Sequence, residues 1–293
     1  MSRIHQALRR AEKELKGTQV EAGDSPKAPL EEVKRKKGTS VNWQDRMPPL
    51  VTAQGAALLV PEGDPSSWKE YPVLADRKVV IVTTPDSAAS REFAALGQKM
   101  IQLQAAGDLK SILITSAVDS EGKTLTAVNL AAALAVEHGQ NVLLIDANLR
   151  NPSVHKQLGF PSASGLSKLL EGNSRIDEVL LRTNLPGLCV IQAGDSPESP
   201  VELLNTQKML AVLSFAKKHF DWVILDSPSI LKHVEAELLT SFVDGVLLVV
   251  RPYVPSSSQM RETIYLLRRK RNLGLVVNGI ATPAAQSERS LGK

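Results

Sequence analysis

A doubly wound α/β fold on a mostly parallel sheet is predicted for the body of this chain, preceded by a largely disordered N-terminal arm. From Lys78 onward, short β-branched apolar runs alternate with helical stretches. The runs are near-continuously apolar, the mark of strands buried on both faces and joined by helices. The chain also shows no internal repeat of about 20 to 50 residues, which excludes a solenoid or propeller.

The expected strands cover residues 79–84, 112–115, 142–145, 188–192, 222–225, 246–250 and 275–278. Residues 3 to 16 read as a helix after a Ser2 cap, with Ile4, Leu8, Ala11 and Leu15 on one face and charge on the other. So short a helix with so narrow an apolar face is not stable alone in water. It is expected to fold against its own body, a membrane-protein partner or lipid. Residues 17–76 turn to Pro, Gly, Ser and charge runs with no sustained period, and are expected to be a mostly disordered linker. The folded domain is expected over 77–281, with a disordered tail at 282–293.

The length of 293 residues, with 43% hydrophobic and 23% charged residues, permits one or two domains and a sizeable core. Apolar runs such as Val246 to Val250 fall far short of the roughly 20 residues of a membrane span. The charged N-terminus does not resemble a signal peptide, so a soluble, unsecreted protein is expected. Cys189 is the only cysteine, which excludes an intrachain disulfide and a cysteine-based zinc cluster. Residues 1–50 hold 11 Lys and Arg against 7 Asp and Glu, whereas the remainder holds 24 of each. The high pI therefore describes a basic arm on a neutral body, and Lys34 to Lys37 reads as solvated linker charge.

Chemistry concentrates where the run ending at Ser116 passes through Ala117, Val118, Asp119, Ser120, Glu121 and Gly122 to Lys123, Thr124 and Leu125, before an alanine-rich helix. Strand, tight loop and helix in this order suit a phosphate-binding P-loop. Backbone N–H groups wrap the phosphates, a Lys reaches the terminal ones, a hydroxyl ligates magnesium and the helix N-terminus adds its dipole. Lys123 and Thr124 stand at those two side-chain positions, although Ala117 replaces the usual first glycine. Asp146 and Asp226 each end an apolar strand, where open α/β sheets bind ligands. Both suit Mg²⁺, which keeps several waters and takes only one or two carboxylates.

These segments, with Leu149-Arg150-Asn151-Pro152, Asp226-Ser227-Pro228, Val243-Asp244-Gly245 and Gly274 to Gly279, resemble the bacterial tyrosine kinases of capsular and exopolysaccharide synthesis. Those are P-loop ATPases of the MinD/ParA-like group. The opening Met1 to Leu8 is similar to the exosortase-associated autokinases within that family. The resemblance covers about residues 78 to 280. It implies ATP and Mg²⁺ as cofactors, tyrosine phosphorylation of proteins, often on a neighbouring copy of a homo-oligomer, and a membrane co-polymerase that sets polysaccharide chain length. It implies Lys123, Asp146, Asn148 and Asp226 as catalytic residues, and Thr124, Asp146 and Asp226 around the metal. Nucleotide contacts would come from Ser116, Ala117, Asp119 to Leu125, Arg150 and Asn278. The resemblance also implies a cytoplasmic protein associated with the membrane through that partner, and the placing of the basic residues gives no reason to expect a nucleic-acid partner.

Three departures bear on activity. Asp119-Ser120 replaces the family's Pro-Gly, which removes a permissive glycine and adds a carboxylate near phosphate. Asn148 replaces the second Asp of an Asp-x-Asp pair, and an amide cannot take a proton at neutral pH. The oligomerising Glu-x-x-Arg-x-x-Arg pattern is absent near Ser90 to Lys99, and the only tyrosines are Tyr71, Tyr253 and Tyr265, so a C-terminal tyrosine cluster is missing. The departures keep a second reading open, a nucleotide-binding regulator without phosphoryl transfer. A third, a DNA-positioning ATPase, would use Arg268 to Arg271, although cations there also complement a helix C-terminus. The five histidines show no metal spacing.

Overall fold

A computed structural model describes residues 70–280. The expected N-terminal helix, the linker up to residue 69 and the tail lie outside the described residues. An eight-stranded sheet organises this region: β1 (Glu70–Tyr71), β2 (Ser111–Ser116), β3 (Val142–Asp146), β4 (Leu180–Thr183), β5 (Leu188–Ile191), β6 (Trp222–Asp226), β7 (Gly245–Val250) and β8 (Asn272–Val277). Their spatial order is β1-β4-β5-β3-β6-β2-β7-β8, and every pairing is parallel except β4 with β5.

The apolar runs form strands because both faces of the sheet are covered. Along β2, Leu113 enters one hydrophobic cluster while Ile112 and Ile114 enter the other. Leu143 and Leu144 of β3 divide in the same way, as a two-residue side-chain period requires. Helices α1 (Val80–Thr83), α2 (Ala88–Ala105) and α3 (Lys123–Ala132) precede β3, and α3 runs into a π-helical turn at Ala133–Glu137. Next come α4 (Val154–Leu158), α5 (Leu166–Glu171), α6 (Ile176–Val179), α7 (Pro200–Leu204), α8 (Gln207–His219), α9 (Val234–Leu239) and α10 (Ser257–Leu267). Side-chain oxygens of Ser87, Thr206 and Ser256 cap α2, α8 and α10.

The run expected as a strand at 79–84 is instead the short helix α1. It packs against α3 and the π-helical turn instead of joining a ladder. Val79 and Ile81 are buried, Ile81 beside Ala132 and Ala133. Asn129 of α3 fastens the segment, its Nδ2 donating to the Lys78 carbonyl at 3.0 Å and its Oδ1 accepting from Ile81 N–H at 3.4 Å. Tertiary packing overrides β-propensity here. β4 and β1 were not expected. Residues 70–76, assigned to the linker by composition, join the body: β1 pairs with β4, Leu74 N–H donates to Leu158 O at 3.0 Å and Asp76 N–H to Gln157 O at 2.8 Å. The folded region therefore begins at least as early as Glu70.

Candidate nucleotide site

The loop between β2 and α3 lies at the carboxyl end of the parallel strands, as expected for a ligand site in this architecture. Ser116 and Ala117 are buried, and Ser116 Oγ donates to the Val118 carbonyl at 2.6 Å. Glu121 is also buried. Its carboxylate accepts from Val118 N–H at 2.8 Å and from Arg251 N–H at 3.0 Å, which ties the loop to the end of β7. Asn278, just past β8, donates through Nδ2 to the Glu121 carbonyl at 2.9 Å. A Cβ on Gly122 would stand 1.9 Å from that same nitrogen, and Gly122 has φ 93°, so both space and backbone demand glycine. Ser120 adopts φ 66°, the left-handed region, where the resembling family carries glycine. The loop keeps the glycine conformation without the glycine, at a cost of about 1 to 2 kcal/mol.

Lys123 and Thr124 form the first turn of α3, whose free N–H groups and dipole favour an anion at this end. Lys123 is largely buried, and its charge acts on the carboxylates of Asp119, Asp146 and Asp226. Thr124 Oγ1 donates to Asp226 Oδ2 at 2.6 Å and accepts from Ser153 Oγ at 3.1 Å. Asp226 Oδ1 is buried and has no hydrogen-bond partner. Asp146 sits in register beside Asp226, on the neighbouring strand. It accepts N–H groups from Asn148 at 3.2 Å, Ser153 at 3.0 Å and Val154 at 3.1 Å, and so also holds the start of α4.

Burial raises both carboxyl pKa values. For Asp226 the Asp146 charge raises it further against the Thr124 hydroxyl, whereas for Asp146 the three N–H donors offset part of the burial. Two buried carboxylates, one with an orphaned oxygen beside a threonine hydroxyl, are suited to a hard cation that brings its own waters. That set fits Mg²⁺. Among the described residues no group of three or more His, Cys, Asp or Glu could hold a metal, so a site made wholly of such ligands is not present there.

The other expected contacts divide. Asn148 is buried at the same strand end, its Oδ1 accepting from Asn151 N–H at 3.3 Å. Leu125 is half-buried in the first turn of α3. Arg150 turns toward α9, with its Nε 2.6 Å from Oε1 of the buried Glu235. Asp119 also turns that way: Lys232 Nζ and Ser229 Oγ each donate to it at 2.8 Å. The Lys232 hydrogen bond is the main influence on Asp119 and, against a smaller opposing effect of burial, holds its carboxyl below the usual range. That bond leaves Asp119 a poor substitute for the base that Asn148 cannot supply. Ser153, Glu235, Lys232 and the Arg251 N–H were not singled out in the sequence. They join the site across long sequence separations, and local spacing carries no signal of that.

The basic run after α10 is engaged within the fold. Arg268 Nη1 donates to the Tyr265 carbonyl, Lys270 Nζ to Ser241 Oγ and Arg271 Nη1 to the Asp108 carbonyl. Cys189 is partly buried in β5, and burial pushes its thiol up to about 11. Among the described residues no helix is long and apolar enough to cross a membrane.

Comparison with known proteins agrees with this geometry. A family model described as an AAA domain matches residues 110–276. The tyrosine-protein kinase YwqD of Bacillus subtilis is 32% identical over 206 residues, covering 69% of this chain and 86% of that protein. The kinase domain of the Escherichia coli tyrosine kinase ETK is 28% identical with a TM-score of 0.66, covering 70% of this chain and 81% of that one. The chimerical protein CapA2B2 is 25% identical with a TM-score of 0.67, covering 72% and 93%. A P-loop ATPase fold of this kind binds nucleotide, and the chain belongs to the bacterial tyrosine-protein kinases of capsule and exopolysaccharide systems.

Proposed function

We propose that the chain transfers the terminal phosphoryl group of ATP to tyrosine hydroxyls of proteins in a polysaccharide-export system, working with a membrane co-polymerase that sets chain length. In this reading the protein lies on the cytoplasmic side and reaches the membrane through that partner. Lys123 holds the phosphates as a point charge, and the N–H groups of residues 119–124 line them. Thr124, Asp226 and Asp146 would hold Mg²⁺, which neutralises charge on the phosphate oxygens. Ser153 orients the Thr124 hydroxyl, and Glu235 keeps Arg150 at the rim. Asn148 can orient a tyrosine hydroxyl by hydrogen bonding but cannot accept its proton.

One observation carries the reading: Asp226 presents a buried, unpartnered oxygen beside the Thr124 hydroxyl at the start of α3. The test is calorimetric titration with ATP, with and without Mg²⁺, followed by single-turnover transfer of labelled phosphate to a glutamate-tyrosine copolymer. Binding that strengthens with Mg²⁺ is expected, and Lys123→Ala is expected to abolish high-affinity binding while circular dichroism stays unchanged. A Lys123→Ala protein that titrates as the parent does would show that the phosphate site is misassigned. Asn148 favours a second reading, nucleotide binding without transfer. Intact ATP binding with no transfer, even in the presence of the co-polymerase, would select it.

A further inference from the structure

We propose that the edge of the sheet formed by α10 and β8 docks directly on an anionic lipid bilayer. This contact is separate from the one made through a membrane partner and does not depend on phosphoryl transfer. Charge singles out the edge first. Residues 251–280 hold 6 Lys and Arg against the single acidic residue Glu262, whereas the other described residues, 70–250, hold 15 against 20. Arg251, Arg261, Arg268, Arg269 and Arg271 are exposed. Among the described residues, none of the six cations has a carboxylate within ion-pair distance. Arg268, Lys270 and Arg271 donate only to carbonyl or hydroxyl oxygens, which leaves their charge uncompensated.

Exposed apolar side chains gather on the same edge. Ten large hydrophobic side chains are exposed among the described residues, and seven of them lie within 253–280. Scattered ones need no explanation, but such a concentration does. Arg261, Ile264, Tyr265 and the C-cap Arg268 share one face of α10 by their spacing of three and four, opposite the buried Thr263 and Leu267. The Arg268 guanidinium lies 3.5 Å from the Tyr265 ring centroid, so cation and aromatic stand together. The last strand of the sheet, β8, continues this surface: its Leu275 and Val277 are in register with Leu248 and Val250 of β7. Those two belong to the cluster that Leu267 of α10 also joins, and register partners point to the same face. Leu275 and Val277 therefore lie on the α10 side of the sheet, where the cover ends and leaves them 39% and 40% exposed.

A bilayer surface takes both kinds of side chain at once. Anionic headgroups attract the exposed cations, and the boundary beneath them accepts tyrosine rings and aliphatic side chains at shallow depth. Arginine stems lie along apolar surface while their charged heads stay in the headgroup layer. A nucleic-acid backbone is matched by cations and polar groups, and would leave Ile264, Leu275 and Val277 facing phosphate. Docking by this edge also sets where the nucleotide site stands. Arg251 N–H and Asn278 Nδ2, just past β7 and β8, both bond to Glu121 of the phosphate loop, which is thereby held close to the leaflet.

The experiment sediments the full chain with vesicles of phosphatidylcholine alone or with phosphatidylglycerol added. Retention on the phosphatidylglycerol vesicles that weakens with salt is expected, with little on phosphatidylcholine. Arg261→Glu combined with Arg268→Glu should lower that affinity at least about 25-fold, since each cation near an anionic leaflet is worth about fivefold. Lys99→Glu combined with Lys208→Glu makes the same change in net charge elsewhere and should leave most of the affinity. Ile264→Gln combined with Tyr265→Gln should weaken binding at least about threefold through lost apolar burial. Circular dichroism and ATP titration should be unchanged in all three, because none of these residues belongs to the nucleotide site. Equal losses from the two charge reversals would reduce the effect to net charge and overturn the proposal. So would unchanged binding in both α10 variants, which would place the lipid contact on another segment. Retention on duplex DNA but on no vesicle, lost on reversal of Arg261 and Arg268, would assign the edge to nucleic acid and overturn it as well.

Discussion

Asp146 and Asp226 are register partners on β3 and β6, both fully buried, with the Asp146 charge helping to push the Asp226 carboxyl up to about 8 after burial itself. Between the ordinary carboxylate value of about 4 and that raised value, the folded state binds more protons than the unfolded state. Stability of the metal-free protein should therefore fall as pH rises through that window.

Asp226→Asn removes the charge but keeps an oxygen that can accept from Thr124. It should stabilise the metal-free protein at pH 8 by about 1 to 3 kcal/mol, the scale of an unsatisfied buried group. It should also flatten the pH dependence and abolish stabilisation by Mg²⁺ with nucleotide. Denaturant unfolding between pH 4 and 9, with and without Mg²⁺ and ATP, measures all three effects. A variant less stable than the parent at pH 8 would show that the unpaired carboxylate carries no such strain.

Asp119 and Lys232 are both substantially exposed, so their ion pair contributes little to folding. Its consequence lies at the phosphate loop. Asp119→Asn withdraws a negative charge from beside the phosphates and frees Lys232, so ATP should bind more tightly. A gain of about threefold to tenfold corresponds to roughly 1 kcal/mol, and it should shrink as salt is added. Calorimetry in low and high salt tests this, and unchanged affinity in low salt would mean that Asp119 does not face the nucleotide's field.

The sheet is legible in the sequence wherever a strand is buried on both faces, because such runs are apolar throughout. Leu113, Leu144 and Ile224 are of this kind. The run at 79–84 has the same composition but packs against a helix, and composition cannot report which surface a segment will meet. Lys123, Thr124, Asp146 and Asp226 were legible because strand ends and a helix start place them by local geometry. The Thr124–Ser153, Arg150–Glu235 and Asp119–Lys232 contacts depend on how distant loops approach one another.

Asp244, just before β7, anchors the start of β2. Its Oδ2 accepts from Lys110 N–H at 3.0 Å, Ser111 N–H at 2.8 Å and Ser111 Oγ at 3.0 Å, while Oδ1 lies 2.6 Å from Lys217 Nζ. Burial would raise its carboxyl, but the Lys217 ammonium and the N–H donors outweigh it and the net shift is downward. The carboxylate therefore contributes stability above its unfolded pKa, lost as pH falls through the lower folded value. Asp244→Ala should cost about 1.5 to 3 kcal/mol at pH 7, the range for hydrogen bonds to a charged group. The gap between parent and variant should close in acid. Urea unfolding at pH 7 and pH 3 measures it, and an equal gap at both would exclude the charge as its source.

Asn148 offers the sharpest chemical test. Phosphoryl transfer depends chiefly on positioning and charge stabilisation, so an enzyme with Asn there should be slow rather than inactive. With Asp119 held by Lys232, the base is not supplied from that loop position. General-base assistance is typically worth about 10²- to 10⁴-fold, and a cautious reading predicts that Asn148→Asp speeds transfer to an added tyrosine substrate at least about tenfold. The side-chain oxygen that accepts from Asn151 N–H is retained, so the loop should hold its shape. The new carboxylate is buried close to Asp146, whose charge it opposes, and the metal-free protein should lose about 1 to 3 kcal/mol at neutral pH. Single-turnover transfer at saturating ATP and Mg²⁺ would be compared with urea unfolding in the absence of metal. A faster but less stable variant is the expected pair of results. An unchanged rate with ATP affinity intact would show that position 148 does not face the attacking hydroxyl.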